Sequence, residues 1–162
     1  MTPGQLLSLL FFSLCSLPGW AQTCGQAGAS DTRFQAHADG TLTDTLRGLR
    51  WRRCAEGQQW RDASCKDTPL RLTLAEARRR GGDGWRLPTL HELSSITDLR
   101  CSEPAIDSTW FPHTPAADFW TSTVFASDRG TAPRYWQVQF LYGESNLGGN
   151  GDRAYLRLVR DE

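Results

Sequence analysis

The sequence predicts a single disulfide-bonded α+β domain, in which two short helices pack on a small twisted antiparallel sheet and long irregular loops join the elements. Three observations predict it: two helix-start motifs in the middle of the chain, alternating strand patterns in its C-terminal half, and cysteines that follow an apolar leader. The 162 residues are enough for one compact core.

The leader has the pattern of a secretory signal peptide over residues 1–21. Residues 6–17 are almost wholly apolar, which is shorter than the roughly 20 residues of a membrane span, and Ala21 is a small residue suited to signal peptidase. We therefore predict a secreted or periplasmic bacterial protein with no transmembrane span after cleavage. Residues 22–40, which are small and polar, indicate an irregular N-terminal segment, and the folded domain is expected over residues 41–162.

Four cysteines follow the predicted cleavage point: Cys24, Cys54, Cys65 and Cys101. An even number in an oxidising compartment indicates disulfides, and four cysteines allow three pairings. We favour Cys54 with Cys65, which closes a short loop, and Cys24 with Cys101. The spacing of a cysteine and histidine metal site is absent from the sequence.

The first strand and the loop after it come next along the chain. Leu49–Arg52 alternates apolar and charged residues, which predicts a half-buried strand with Leu49 and Trp51 facing inward. Residues 55–67 are polar and are expected to form a loop that carries Trp60.

The first helix is predicted from a capping box. The Thr73 hydroxyl can accept from the free N–H of Glu76, and the Glu76 side chain can bind the cap residue in return. We expect this helix to run to about Arg80, where Gly81 and Gly82 provide the stop.

A second motif predicts a corner between an extended segment and a helix. It comprises Trp85, Arg86, Leu87, Pro88, Thr89 and Glu92. The proline forces the residue before it out of helical geometry, and the threonine and glutamate form a second capping box that starts a helix ending near Leu99. The tryptophan and the leucine are expected to supply core area.

The C-terminal half predicts strands. Residues 119–124, 135–140 and 155–160 are rich in aromatic and β-branched residues, and the second of these runs alternates cleanly. Residues 143–152, between the last two strands, are rich in glycine and predict a long irregular loop.

Several stretches together resemble a known family. They are Thr43–Asp44, Gly48–Trp51, Trp85–Thr89 with Glu92–Leu93, Ala105–Asp107, Phe111–Pro112, Phe119–Thr123 and Leu156–Arg160. In this order, over about residues 40–160, they resemble the Lcl C-terminal domain family, a domain of unknown function named after a bacterial collagen-like adhesin. The resemblance implies a C-type-lectin-like fold akin to the sulfatase-modifying-factor group, and adhesion to sulfated polysaccharides.

Ligand contacts are predicted at two kinds of residue. Tryptophans in polar surroundings can stack on sugar rings, and arginines near loops can bind anionic groups through their planar forks. The candidates are Trp60, Trp110, Arg129, Arg134 and Arg153. The alternatives are ordinary core packing for the tryptophans and a charged rim for the arginines.

A calcium site in the glycine-rich loop is a second possibility. Its oxygen donors are Glu144, Asn146, Asn150 and Asp152, which suit a hard cation. Their spacing matches no EF-hand, and a solvated connector is the alternative reading.

We expect no enzymatic activity and no cofactor. The three histidines, His37, His91 and His113, lie beside no nucleophile motif, and the mature cysteines can all pair. The 18 basic and 18 acidic residues balance, so nucleic acid is not an expected partner.

The function predicted from the sequence is a lectin-like binding module. It would recognise a glycan, a polyanion or a protein partner at the cell surface through the loops of residues 125–153. Two alternatives stay open: a structural subunit of a pilus or envelope assembly, and an oxidase-like enzyme related to the sulfatase-modifying factors.

Overall fold

The computed structural model describes residues 22–25, 32–126 and 132–162. It is built mostly from strands, with 38% strand and 8% helix. The predicted α+β, C-type-lectin-like arrangement of two helices packed on a sheet is therefore wrong. Residues 1–21, the predicted signal peptide, lie outside the described residues, as does Arg129.

Eleven strands and two helices make up the described chain. They are β1 (Thr23–Cys24), β2 (Phe34–Ala36), β3 (Thr41–Asp44), β4 (Leu49–Arg52), β5 (Gln59–Arg61), β6 (Ser64–Lys66), α1 (Leu74–Arg78), α2 (Leu90–Ser94), β7 (Cys101–Ser102), β8 (Asp118–Phe125), β9 (Arg134–Gln139), β10 (Glu144–Gly148) and β11 (Val159–Asp161). The segment predicted to be irregular, residues 22–40, thus contributes β1 and β2. No helix of the described residues has the length and apolar character to cross a membrane.

The first sheet has four antiparallel strands in the order β11-β4-β3-β2. Its inner face buries Leu42, Trp51 and Val159, which lie opposite one another in the register. The inward prediction for Leu49 and Trp51 is confirmed. Because successive strand residues point to opposite faces, the arginines of β4 and β11 lie on the outer face.

The second sheet has three antiparallel strands in the order β10-β9-β8, with a register shift in β8. It contributes to the core on both sides, through Phe119, Val138 and Phe140 on one and through Trp120 and Tyr135 on the other. Its edge strand, β10, lies within residues 143–152, so the prediction of an irregular loop there is wrong for that strand.

The disulfide pairing is confirmed. Cys54 bonds to Cys65 and Cys24 bonds to Cys101. The first bond ties β6 of the β5–β6 hairpin to the chain just after β4, and this hairpin occupies much of the segment predicted to be a loop. The second joins β1 to β7 across the chain.

Both capping boxes are present, yet each helix has only five residues. α1 ends at Arg78, within two residues of the predicted end at about Arg80, and Gly82 and Trp85 then exchange backbone hydrogen bonds in a tight turn around Asp83 and Gly84, both at positive φ. After α2, the Ser95 hydroxyl donates to the carbonyl of Glu92, 2.6 Å away. Such bonds compete with the helix ladder and end it early.

Candidate functional site

A cavity of about 410 Å³ opens between the outer face of the first sheet and the β5–β6 hairpin. Its walls include two tryptophans, two arginines and two carboxylates: Trp60, Trp85, Arg52, Arg160, Asp39 and Glu56. The volume lies within the range of small-molecule sites in proteins.

Trp60 is positioned by the hairpin and by a glycine. Gly40 has φ +78°, and a Cβ added there would lie 2.4 Å from the Trp60 side chain, so a side chain at this position would displace the ring. The guanidinium of Arg53 stacks on the Trp60 ring at 4.1 Å. Its Nε and Nη2 donate to the carbonyl oxygens of Trp110 and Thr109, each at 2.8 Å. The half-buried Trp60 ring is therefore fixed in place.

Trp85 forms the second wall and is half-buried rather than part of the core centre. Both Trp85 and Leu87 were expected to supply core area. Leu87 is buried, but Trp85 is only half-buried, so the expectation was too strong for Trp85. Arg86 forms an antiparallel bridge with Val159, which extends the first sheet and places Trp85 next to Arg160 on the outer face.

Arg52 and Arg160 both stack on Trp85. Their guanidinium carbons lie 4.9 and 4.8 Å from the ring centroid. Neither has a carboxylate partner within the described part of the chain, whereas Arg50 on the same face lies 3.2 Å from Asp39. A cation–π contact orients a guanidinium without neutralising its charge, so both side chains keep N–H donors for a ligand.

The two carboxylates at the cavity are already engaged. Asp39 accepts from the hydroxyl of Thr41 at 2.6 Å and from its N–H at 3.1 Å. The Thr41 hydroxyl, assisted by the charge of Arg50, lowers the pKa of Asp39 despite partial burial. Glu56 lies 3.5 Å from Arg80. Each acid thus has its own counter-charge, which leaves Arg52 and Arg160 without a compensating carboxylate among the residues that the structure describes.

A fully buried arginine, Arg157, binds the backbone of residues at the site. Arg157 donates to the carbonyl oxygens of Arg52, at 2.9 Å, and of Arg53, and to the Thr114 hydroxyl at 2.7 Å. Burial, together with the charge of Arg53, lowers its pKa to about 9, so it stays charged at neutral pH. It therefore holds the backbone of Arg52, whose side chain stacks on Trp85, and of Arg53, whose side chain stacks on Trp60.

The structure does not gather the predicted ligand-binding residues. Trp60 lines the cavity, but Trp110 packs against Phe34 with 5.8 Å between ring centroids. Arg134 donates to the carbonyl of Leu147, at 2.7 Å. Arg153 does not line the cavity, and it donates to the backbone carbonyl of Arg71 and to the carboxylate of Glu76.

Two of the predicted calcium ligands make hydrogen bonds within the protein. The Nδ2 of Asn146 donates to Asp118 at 2.8 Å, whereas its Oδ1 has no hydrogen-bond partner among the described residues, and Asp152 accepts from the N–H of Gly149 at 2.7 Å. Glu144 and Asn150 are exposed. Among the residues that the structure describes, no group of three or more histidine, cysteine or acidic side chains could hold a metal ion.

None of the three histidines considered for catalysis lines the cavity, and Cys54, which does line it, is bonded to Cys65. The Nε2 atom of His37 is 2.8 Å from the Thr43 hydroxyl, and His91 and His113 are exposed. Every cysteine within the described ranges is in a disulfide.

Sequence reasoning missed Arg52, Arg160 and the exposed side of Trp85 as site residues. The alternation at Leu49–Arg52 already indicated that the arginines of this half-buried strand point outward, and this could have marked Arg52 as a candidate. What the alternation could not show was which outward residues become neighbours.

Comparison with known proteins gave one result. A family model described as the Lcl C-terminal domain matches residues 40–160. The resemblance drawn from the motifs is therefore confirmed. Neither the curated proteins nor the solved structures contain a match.

Proposed function

The chain belongs to the Lcl C-terminal domain family, and from that premise we propose that it is a secreted or periplasmic binding module. The cavity between Trp60 and Trp85 takes a sugar that carries an anionic group. One observation carries the proposal: Arg52 and Arg160 stack on Trp85 at this cavity without a carboxylate partner in the described chain.

Electrostatics favour an anion at this point. Two guanidinium groups within 5 Å of the same ring repel each other, and a carboxylate or sulfate between them relieves the repulsion. Guanidinium groups bind such anions through pairs of parallel hydrogen bonds. Because the ring already orients both side chains, little rotamer entropy is lost when the anion binds.

The remaining lining suits the neutral part of a sugar. Gln58 and Gln59 line the cavity with amide groups, and the half-buried Trp60 offers an aromatic ring. Amides can pair with hydroxyls while an aromatic face covers the apolar face of a sugar ring.

The test compares two sugars that differ in the charged group. Galacturonate and galactose are titrated separately, and the indole ¹H–¹⁵N signals of Trp60 and Trp85 are followed by NMR. We expect saturable shifts with galacturonate and none with galactose. Raised salt should weaken binding, because Arg52 is exposed.

Substitutions locate the binding. Arg52→Ala and Arg160→Ala should each lower the affinity for galacturonate by about tenfold or more, since a hydrogen bond to a charged group contributes about 1.5–3 kcal/mol. Arg134→Ala, on the second sheet, is the matched control and should bind as the wild type does. Equal affinity for both sugars, or unchanged affinity in both cavity variants, would refute the proposal.

A further inference from the structure

A run of seven consecutive exposed residues, 78–84, joins α1 to the corner that carries Trp85. It is the longest exposed run within the described ranges, and it consists of three arginines followed by three glycines and one aspartate. None of these residues lines the proposed binding cavity. The proposed function therefore leaves this basic segment unexplained.

The backbone hydrogen bonds of this segment fall on either side of the Arg80–Gly81 peptide bond. Before it, the N–H groups of Arg79 and Arg80 donate back into α1 at 3.2 and 3.0 Å. After it, Gly82 and Trp85 exchange two backbone hydrogen bonds, at 3.0 and 2.9 Å. Breaking the Arg80–Gly81 bond therefore leaves both sets of hydrogen bonds in place.

The other exposed basic side chains of the described chain lie where the backbone is held more firmly. They lie in strands, in the turn between β3 and β4, or next to a bridge or strand residue: Arg47, Arg52, Arg61, Lys66, Arg71, Arg100, Arg134 and Arg153. An endopeptidase binds its substrate as an extended strand, so it must first pull such residues out of their pairing. The exposed loop at residues 78–84 needs less opening, which favours a cut there.

The two parts of the chain on either side of this bond are joined elsewhere. Cys24 precedes the bond and Cys101 follows it, so their disulfide links the two parts covalently. The first sheet also takes β2, β3 and β4 from the first part and β11 from the second. In addition, Trp120 of the second part donates to the carbonyl of Leu72 in the first, at 2.7 Å. A chain cut at this bond therefore keeps its core and stays one disulfide-linked molecule.

We propose that the Arg80–Gly81 bond is a processing site for an endopeptidase with an acidic specificity pocket, and that the product is a disulfide-linked two-chain protein. Water adds across the C–N bond, so Arg80 gains a carboxylate and Gly81 gains an ammonium group. The acidic pocket pairs with the guanidinium of Arg80. That guanidinium lies 3.5 Å from Glu56 in the uncut chain, and such a partly exposed pair is weak enough to exchange. The proposal is independent of the ligand of the cavity.

The experiment is limited digestion of the purified, folded protein by a small amount of trypsin, whose pocket has the required acidic side chain. Intact mass spectrometry follows the products with and without reductant. Without reductant, we expect the first product to have the mass of the parent plus one water. With reductant, it should separate into one fragment that ends at Arg80 and one that begins at Gly81. Its far-UV circular dichroism should equal that of the uncut protein.

Variants test the bond and the link. Arg80→Gln should slow the first cut at least about tenfold, because a cut after Arg79 requires the hydrogen bond from the next N–H to open first. Arg79→Gln is the matched control, since it removes a neighbouring exposed arginine but keeps the Arg80–Gly81 bond. It should be cut there at about the wild-type rate. Cys24→Ser with Cys101→Ser should release the two fragments without reductant.

The outcomes separate the site from the two-chain form. Resistance to trypsin, a first cut after any other basic residue, or equal slowing in the Arg79 and Arg80 variants overturns the site. Loss of the circular dichroism signal at the first cut, or wild-type fragments that separate without reductant, overturns the two-chain form. Galacturonate titration is a separate measurement, so the processing site and the proposed function can fail independently.

Discussion

The two main sheets use their polar residues in opposite ways. On the second sheet, Asn146 binds Asp118 and Arg134 binds the carbonyl of Leu147. On the outer face of the first, Arg52 and Arg160 contact the ring of Trp85 and no carboxylate of the described chain.

The difference shows that residue type does not decide which groups can bind a ligand. An arginine that donates to a backbone carbonyl is held by that bond and contributes to the fold, whereas an arginine held only by an aromatic ring keeps all of its donors. Both sheets carry arginines, but the arginines that line the cavity in the described part of the chain, Arg52 and Arg160, belong to the first. The proposed site therefore lies on the first sheet and not in the loops of residues 125–153.

The largest expected effect separates a scaffold tryptophan from a site tryptophan. Trp120 is fully buried and its Nε1 donates to the carbonyl of Leu72 at 2.7 Å. Trp120→Ala should lower the free energy of unfolding by about 3–5 kcal/mol, through a cavity and an unpaired carbonyl. Trp85→Ala should cost only about 1–2 kcal/mol because the side chain is half-buried, but should abolish galacturonate binding.

Urea denaturation measures both costs, and NMR titration measures the binding. Equal costs in the two variants would mean that Trp85 is a core residue. The contrast between scaffold and site would then fail.

The next effect concerns the disulfide at the cavity. Cys54→Ser with Cys65→Ser should lower the free energy of unfolding by about 3 kcal/mol, because the bond closes a short loop. It should also weaken galacturonate binding, since the hairpin that carries Trp60 loses its covalent link to the end of β4. Replacing Cys24 and Cys101 instead should leave the Trp60 indole signal in place, because that bond joins β1 to β7. A Trp60 signal that moves equally in both double variants would show that the hairpin is not held locally.

A smaller effect is expected from pH at the corner next to the site. Partial burial acts to raise the pKa of Glu92, but hydrogen bonds from Arg86 and from the Thr89 N–H outweigh it and lower the pKa below the usual 4.5. A carboxylate with a lowered pKa in the folded state stabilises the fold above pH 4.5 and loses that contribution as the pH falls through the folded value.

Glu92→Gln should therefore cost about 1 kcal/mol near pH 7, where it weakens the capping box and the ion pair. The cost should shrink as the pH falls below 4.5. Urea midpoints between pH 7 and pH 3 measure the difference. A cost that is the same at both ends of the range would contradict the assigned role.

The smallest effects are expected on the second sheet and beside it. Arg134→Ala and Arg153→Ala remove exposed contacts, so each should change the free energy of unfolding by less than about 1 kcal/mol and leave galacturonate binding unchanged. Differential scanning fluorimetry and the NMR titration measure both quantities. A loss of binding as large as that of Arg52→Ala would return the site to the C-terminal loops.

Local rules were enough to predict several elements from the sequence. Thr73 with Glu76 and Thr89 with Glu92 form capping boxes because the interacting groups are three residues apart. Cys54 pairs with Cys65 within a short loop, as expected. The end of α1 was also predicted to within two residues, but α2 ends at Ser94 rather than near Leu99, because the Ser95 hydroxyl competes with the helix ladder.

The strands β5, β6 and β10 were not predicted from the sequence. Their sequences are polar, so they lack the alternation that marks a half-buried strand. Backbone pairing stabilises these strands instead: β5 pairs with β6, and β10 pairs with β9. The β5–β6 hairpin is also held by the Cys54–Cys65 disulfide.

By itself the sequence determined the two helix starts, the inward face of β4 and the Cys54–Cys65 pair, because each depends on residues close in the chain. The Cys24–Cys101 pair then followed as the remaining two cysteines, and the family followed from the order of motifs over residues 40–160. Only the tertiary structure decided the candidate site. Arg52, Trp85 and Arg160 meet because β11 pairs with β4 on one side and with Arg86 on the other. That register is set by burying Trp51 and Val159 together, a long-range packing requirement that no local pattern encodes.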